Sequence, residues 1–372
     1  MNYIISIKTA ILVFPFIALL FTIPFILSGY HKYGSINPLR ALIVYSFILY
    51  MITIYFLIIF PLPDKDTVVK PTSDMIRLIP FGFIKDFIKE TSFVITDPST
   101  YLKTLTEPCF YTVIFNIFIT IPFGMYLRYY FKYNLKKTFI ISFLLSLFFE
   151  LTQLSRLYFI YPYQYRIFDV DDLIMNTLGG ILGYYIMGLL ARFLPTREKI
   201  DNDSLKKGRI VSGFRRITIF FLDIILYLIA ITFMSIFYKG RYIFYITFII
   251  YYMIVPYIFH SQTIGSKFLN VKLEYPNHRF IRNGLRIIFI YIYYIFIPYR
   301  LMLGVMIISY YLNLSSVQLF LLYLLILIII LTFYISNIFV LLKKKTIYYD
   351  NIFQCKYIST LYEQGKEKNY KS

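Results

Sequence analysis

The chain has 372 residues, 59% of them hydrophobic and 15% charged, with a mean hydropathy of +0.67. Soluble domains run near 45–50% apolar and about 25% charged, so the composition indicates a membrane protein and argues against a soluble globular one. The net charge of +19 comes from Lys and Arg spread over several segments between apolar runs, which argues against nucleic acid as a partner and for anionic lipid.

Apolar runs long enough to cross a bilayer recur near 5–28, 39–61, 109–127, 138–155, 173–195, 214–238, 242–260, 285–309 and 317–342. They predict an all-α, polytopic helical bundle of about nine transmembrane helices. Pro24 interrupts the first run, and "LSGYHKYG" offers no small-x-small cleavage site, so a retained span is expected there rather than a signal peptide. Most of the 38 Lys and Arg residues fall in segments that share one side when the basic C-terminus is placed inside, which gives an N-out, C-in orientation. Trp is absent, so Tyr must supply the interfacial belt. Cys109 and Cys355 fit no metal or redox spacing.

The loop between the second and third runs contains "MIRLIPFGFIKDFIKE". Its Ile76, Ile79, Phe83, Phe87 and Ile88 lie near helical spacing, with Lys85, Asp86 and Lys89 elsewhere. Two readings stay open: an amphipathic segment on the membrane surface, or a loop helix packed against neighbouring spans.

Polar residues gather at the junction of the fourth and fifth runs. Glu150 and Gln153 are three apart and share a helix face; Asp169, Asp172 and Asn176 follow at i, i+3 and i+7, with Asp171 beside them. Gly179, Gly180 and Gly183 continue the stripe in a small-xxx-small pattern that admits a neighbouring helix. The hairpin 156–168 brings both faces to one membrane surface, the outer one in this orientation, together with Arg156 and Arg166. Four readings fit: a structural latch in which Arg166 pairs with Asp169 or Glu150 and Asn176 bonds across helices; a binding site for an amphiphile or wall-linked ligand; an oxygen cage for Mg²⁺ or Ca²⁺; and acid–base chemistry on a lipid-linked substrate. The cluster offers no His, Ser or Cys for a nucleophile–base pair. No catalytic residue, metal ligand or cofactor is assigned.

"ELTQLSRLYFIYPYQYRIFDVDDLIMNTLGGILG", with "LIPFGFI" (78–84) and "NIFITIPFG" (116–124) upstream, resembles the VanZ-like membrane proteins. Arg77 stands where that family's pattern would place an asparagine. The resemblance covers about residues 40–190. It implies a multi-pass protein of the cell membrane of a Gram-positive-like bacterium, acting at the cell envelope. It also implies a link to antibiotic resistance, to the glycopeptide teicoplanin in particular, with the antibiotic or a wall-linked lipid as the possible ligand.

Residues 196–209, "TREKIDNDSLKKGR", read as a cytoplasmic linker between a VanZ-like domain (1–195) and a second membrane domain (210–342), followed by a basic tail (343–372). The second domain resembles the RDD family: "RRITIFFLD" sets Arg216 and Asp223 seven apart on one helix face, and "SQTIGSKFLNVKL" supplies Thr263, Gly265 and Lys267. Arg216 is expected to snorkel to the inner face, and Asp223 to pair with a partner that includes the basic residues among 279–286 as candidates. Oligomeric state is not readable from the sequence.

Overall fold

The computed structural model describes residues 3–60, 62–71, 75–344 and 347–361. Among them, eight helices are long and apolar enough to cross a membrane. Inside a bilayer every backbone N–H and C=O must be satisfied within the chain, which leaves helices as the solution for runs this apolar. The run expected at 242–260 forms a shorter apolar helix, Ile243–Ile258, which turns π-helical over Ile250–Ile254 just before Pro256. Pro256 has no N–H to give the α-helical ladder, and a one-residue bulge accommodates it.

The chain divides into two compact units. One takes residues up to Thr22 with Pro38–Ile200; the other takes Ile23–Asn37 with the residues from Asp201 onward. The first unit is built from α1 (Tyr3–Tyr33, shared with the second), α2 (Pro38–Ile59), β1 (Ile76–Arg77), α3 (Gly82–Glu90), α4 (Ser99–Thr104), α5 (Pro108–Tyr129), α6 (Leu135–Leu154), α7 (Arg156–Phe159), β2 (Phe168–Asp169) and α8 (Val170–Leu190). At the core of this unit α8 lies between α5 and α6. A Cβ on Gly179 would run into the Ile117 carbonyl and the Thr120 hydroxyl of α5, and one on Gly183 into the Ile121 carbonyl. Gly180 receives Ser142 of α6 in the same way. Small residues at these positions let the backbones approach closely, which is how helices gain contact where lipid offers no hydrophobic drive.

The polar stretch 196–209 contains a helix, α9 (Arg197–Gly208). Its first turn is tied to the first unit by the Arg197 bond to the Tyr130 carbonyl (2.6 Å) and by an ion pair between Glu198 and Lys132. Within the second unit, Tyr33 donates to Asp201 (3.2 Å) and Ser35 to the Ser204 carbonyl (2.7 Å).

The second unit continues with α10 (Gly213–Phe237), α11 (Ile243–Ile249), α12 (Val255–Ile258), α13 (Ile264–Phe268), β3 (Val271–Glu274), α14 (Arg279–Tyr291), α15 (Ile297–Tyr311), α16 (Ser316–Lys344), α17 (Tyr348–Ile352) and β4 (Lys356–Ser359). A π-helical turn, Ile292–Phe296, joins α14 to α15. The segment after α16 folds back: β4 pairs antiparallel with β3, Val271 opposite Ser359. The rest of the expected tail, 345–346 and 362–372, lies outside the described residues.

Candidate functional site

On α6, Thr138, Ser142, Ser146 and Glu150 recur every four residues, and all are at most 3% exposed. That spacing makes one continuous polar stripe down a membrane-spanning helix. Its upper end meets α8. Glu150 accepts from the backbone N–H of Asp169 (3.1 Å), and Asp172 accepts from Asn116 of α5 (2.5 Å). Asn176 donates to Ser146 (3.0 Å), whose hydroxyl donates to the Asp172 carbonyl (3.3 Å). The Oδ1 of Asn176, on a side chain 3% exposed, has no hydrogen-bond partner.

Among the described residues, neither the Glu150 nor the Asp172 carboxylate has an ion-pair partner. Arg166 lies within electrostatic reach of both. Its Nη1, however, donates to the Ile58 carbonyl (2.5 Å), which also accepts from Gln153 (3.2 Å). Arg166 and Gln153 thus secure the end of α2.

Around these carboxylates lies a rim in which Asp169 is half-buried and Asp171 buried. Asp169 caps α8 by accepting from the Asp171 N–H (2.9 Å), and β2 pairs parallel with β1. Asp171 reaches across the sequence to α3, accepting from the amides of Phe81 (2.6 Å) and Phe83 (2.8 Å). A carboxylate at a helix N-terminus satisfies orphan N–H groups and the helix dipole together. Arg77 pairs with Asp86 (3.1 Å) and stands 3.9 Å from Asp169. Partial burial pushes the Asp169 carboxyl above its usual range.

Of the residues marked from the sequence, buried Glu150 and Asn176 and half-buried Asp172 form the floor, Asp169 and Asp171 serve as helix caps, and Arg166 and Gln153 bind backbone. Asn116 appeared in the sequence only as the first residue of "NIFITIPFG", without a place in the cluster, and Ser146 was not marked. Ser146 could have been found one turn before Glu150 on the same face. It brings a serine into the cluster after all, but its hydroxyl donates to a backbone carbonyl and so makes no nucleophile–base pair. No group of three or more His, Cys, Asp or Glu among the described residues is placed to hold a metal ion.

The connection from α6 back to β2 is strained. All four residues of α7 have positive φ, from 54° at Leu157 to 67° at Phe159. A left-handed turn costs L-residues roughly 1–2 kcal/mol each. It is held by Tyr158 N–H on the Ser155 hydroxyl (3.0 Å) and by Arg156 on the Pro162 carbonyl (2.8 Å). Lys70, Arg156, Tyr163 and Gln164 are among the residues lining a cavity of about 510 Å³ beside it.

In the second unit the RDD-like residues separate into two groups. Asp223, 5% exposed, accepts from Tyr251 (2.7 Å), Thr263 (2.6 Å) and the Gly265 N–H (2.9 Å), so hydrogen-bond donors surround it and no cation from 279–286 does. A Cβ on Gly265 would strike the Asp223 carboxylate. Arg216 does not snorkel. It is 5% exposed and pairs with Asp350, which also meets Arg286 (3.4 Å). The Arg216 guanidinium stacks 3.7 Å from the Tyr357 ring, and Cys355 donates to Asp350 (3.4 Å). Burial pushes the Cys355 thiol up to about 11, which makes it a poor nucleophile. Lys267 stands apart, exposed, over the Phe259 ring at 3.8 Å.

Eight apolar helices of spanning length, a three-helix core joined through glycines and a polar floor set between α6 and α8 define a multi-pass helical membrane protein. Residues 47–191 match the model of the VanZ/LLP1 family, a stretch that holds α3 through α8 and every residue of the floor and its rim. Neither the curated proteins nor the solved structures give a match.

Proposed function

We propose that the protein acts at the bacterial cell envelope, in the cell membrane, by binding an amphiphile or wall-linked ligand at the outer end of α6 and α8 without chemically changing it. The observation that carries this reading is the carboxylate pair of buried Glu150 and half-buried Asp172, neither of which has an ion-pair partner among the described residues. Ionisable groups within membrane helices are expensive to insert, at least about 2.5–3.5 kcal/mol each, and a latch made for stability would be expected to neutralise them. An acceptor-rich floor suits a ligand that brings hydrogen-bond donors, an amine above all. Glycopeptide antibiotics of the teicoplanin type and wall-linked lipids are the candidates suggested by the VanZ-like segment.

The orientation belongs to the same proposal: N-out, C-in, with the cluster outside. It requires Ile243–Ile258 to cross, and at about 1.5 Å per residue this helix is shorter than a bilayer core of about 30 Å. The second unit is proposed to be RDD-like on Arg216, Asp223, Thr263 and Gly265.

A transporter or channel is the rival reading, favoured by the same unneutralised carboxylates and by Asp223. A deletion strain tested against a panel of envelope-active compounds separates the two, with solute and proton flux followed in parallel. Lost tolerance to lipoglycopeptides with unchanged flux supports binding. Lost flux that Glu150→Gln and Asp172→Asn reproduce supports transport, and an altered lipid-carrier profile would point to an enzyme instead.

A further inference from the structure

Helix α3 distributes its side chains unevenly. Phe83 and Phe87, one turn apart, are half-buried, and the Phe87 ring lies 6.1 Å from that of Phe110 on α5. Next to them on the helix circumference, Ile84 and Ile88 are 47% and 74% exposed. The residues leading into the helix add Leu78 (65%), Ile79 (81%) and Phe81 (55%). Lys85 and Lys89 occupy the opposite arc and are exposed. The apolar arc is therefore wider than α5 covers, and its uncovered half lies between the packed Phe side chains and the Lys arc.

What can cover it follows from where the helix is held. β1 pairs with β2, and Asp171 holds the first amides of α3, so the helix is fixed at the end of α8, where a membrane span begins. The helix α5 on which it rests is itself a membrane-spanning candidate whose Phe118 is 64% exposed. The open half of α3 thus stands at the N-terminal end of a spanning candidate that itself exposes apolar surface. An amphipathic helix with Lys on its polar arc suits the boundary between headgroups and acyl chains.

We propose that α3 and its lead-in are seated in the lipid surface, with Ile79, Ile84 and Ile88 among the acyl chains and Lys85 and Lys89 among the headgroups. Asp171 is bonded to the first turn of this helix. The mouth of the Glu150–Asp172 cluster accordingly lies at headgroup depth, open to a ligand arriving through the membrane and not only from bulk water.

The absence of Trp makes the test clean, because an introduced Trp reports alone. The full chain carrying Ile79→Trp, Ile88→Trp or Lys85→Trp is reconstituted into vesicles of phosphatidylcholine and phosphatidylglycerol. Each variant is read with acyl-chain-brominated lipid and with iodide on both sides of the membrane. Trp at 79 and 88 is expected to emit at short wavelength, to lose intensity with brominated lipid and to resist iodide, while Trp at 85 shows weaker lipid quenching and responds to iodide. Iodide quenching at 79 and 88 without lipid quenching would overturn the proposal. Protection from both quenchers would also overturn it, since protein would then cover the helix.

Discussion

Two buried acids in this chain are treated in opposite ways. Asp350 sits between Arg216 and Arg286 and also takes a bond from Cys355, so its charge is surrounded by cations and donors. Glu150 lies between membrane helices with one backbone N–H as its hydrogen-bond donor and no ion-pair partner among the described residues. Both are at most 2% exposed, so burial alone does not distinguish them. Compensation does. A neutralised carboxylate fixes a chain segment in place, here the fold-back of α17 and β4. One with no ion-pair partner is costly to hold between membrane helices and implies some other reason for its presence.

The largest effect is expected on the compensated side. Asp350→Ala leaves two arginines facing each other in a buried site, and breaking such a pair costs about 3–5 kcal/mol. Unfolding of the purified protein in detergent should show that loss, with protease cleavage appearing in 347–361. An unchanged unfolding curve would remove the distinction between the two acids.

Next in size is the packing that holds the floor together. Gly179→Leu drives a side chain into the Ile117 carbonyl and the Thr120 hydroxyl, where overpacking costs about 1–3 kcal/mol. Cysteine cross-linking between α5 and α8 should weaken in parallel with stability. A variant as stable as the parent would mean that the close approach is not needed.

Smaller still is a pH effect at the rim. The Asp169 carboxyl is raised by burial, so the folded state holds its proton more tightly than the unfolded chain does. Its contribution therefore falls as pH rises from the ordinary aspartate range to the raised value, and is constant on either side of that window. Asp169→Asn keeps a capping side chain and should flatten this part of the stability–pH curve. An identical slope in parent and variant would show that Asp169 is not its source.

The spans and the α8 glycine stripe were legible because hydropathy and small-residue spacing are local. Glu150, Asp172 and Asn176 were also visible as one polar group, since helical periodicity places them from neighbouring runs. Contacts distant in sequence were not legible. Asp171 caps a helix 88 residues upstream, and the partner of Arg216 lies 134 residues downstream in what reads as a basic tail. The left-handed α7 could not be foreseen either, because "RLYF" holds no glycine to signal positive φ. The helix at 197–208 was hidden by its charge density, which carries no apolar periodicity to signal it.

The central claim is that Glu150 is kept for function at some expense of stability. It is tested most directly by Glu150→Gln, with the unfolding of the purified protein and the lipoglycopeptide tolerance of the complemented deletion strain measured on the same variant. The amide keeps an acceptor for the Asp169 N–H and removes the ionisable group, so stability should be unchanged or higher while tolerance falls to that of the deletion. A variant that is less stable yet fully tolerant would contradict the account and make Glu150 a structural latch.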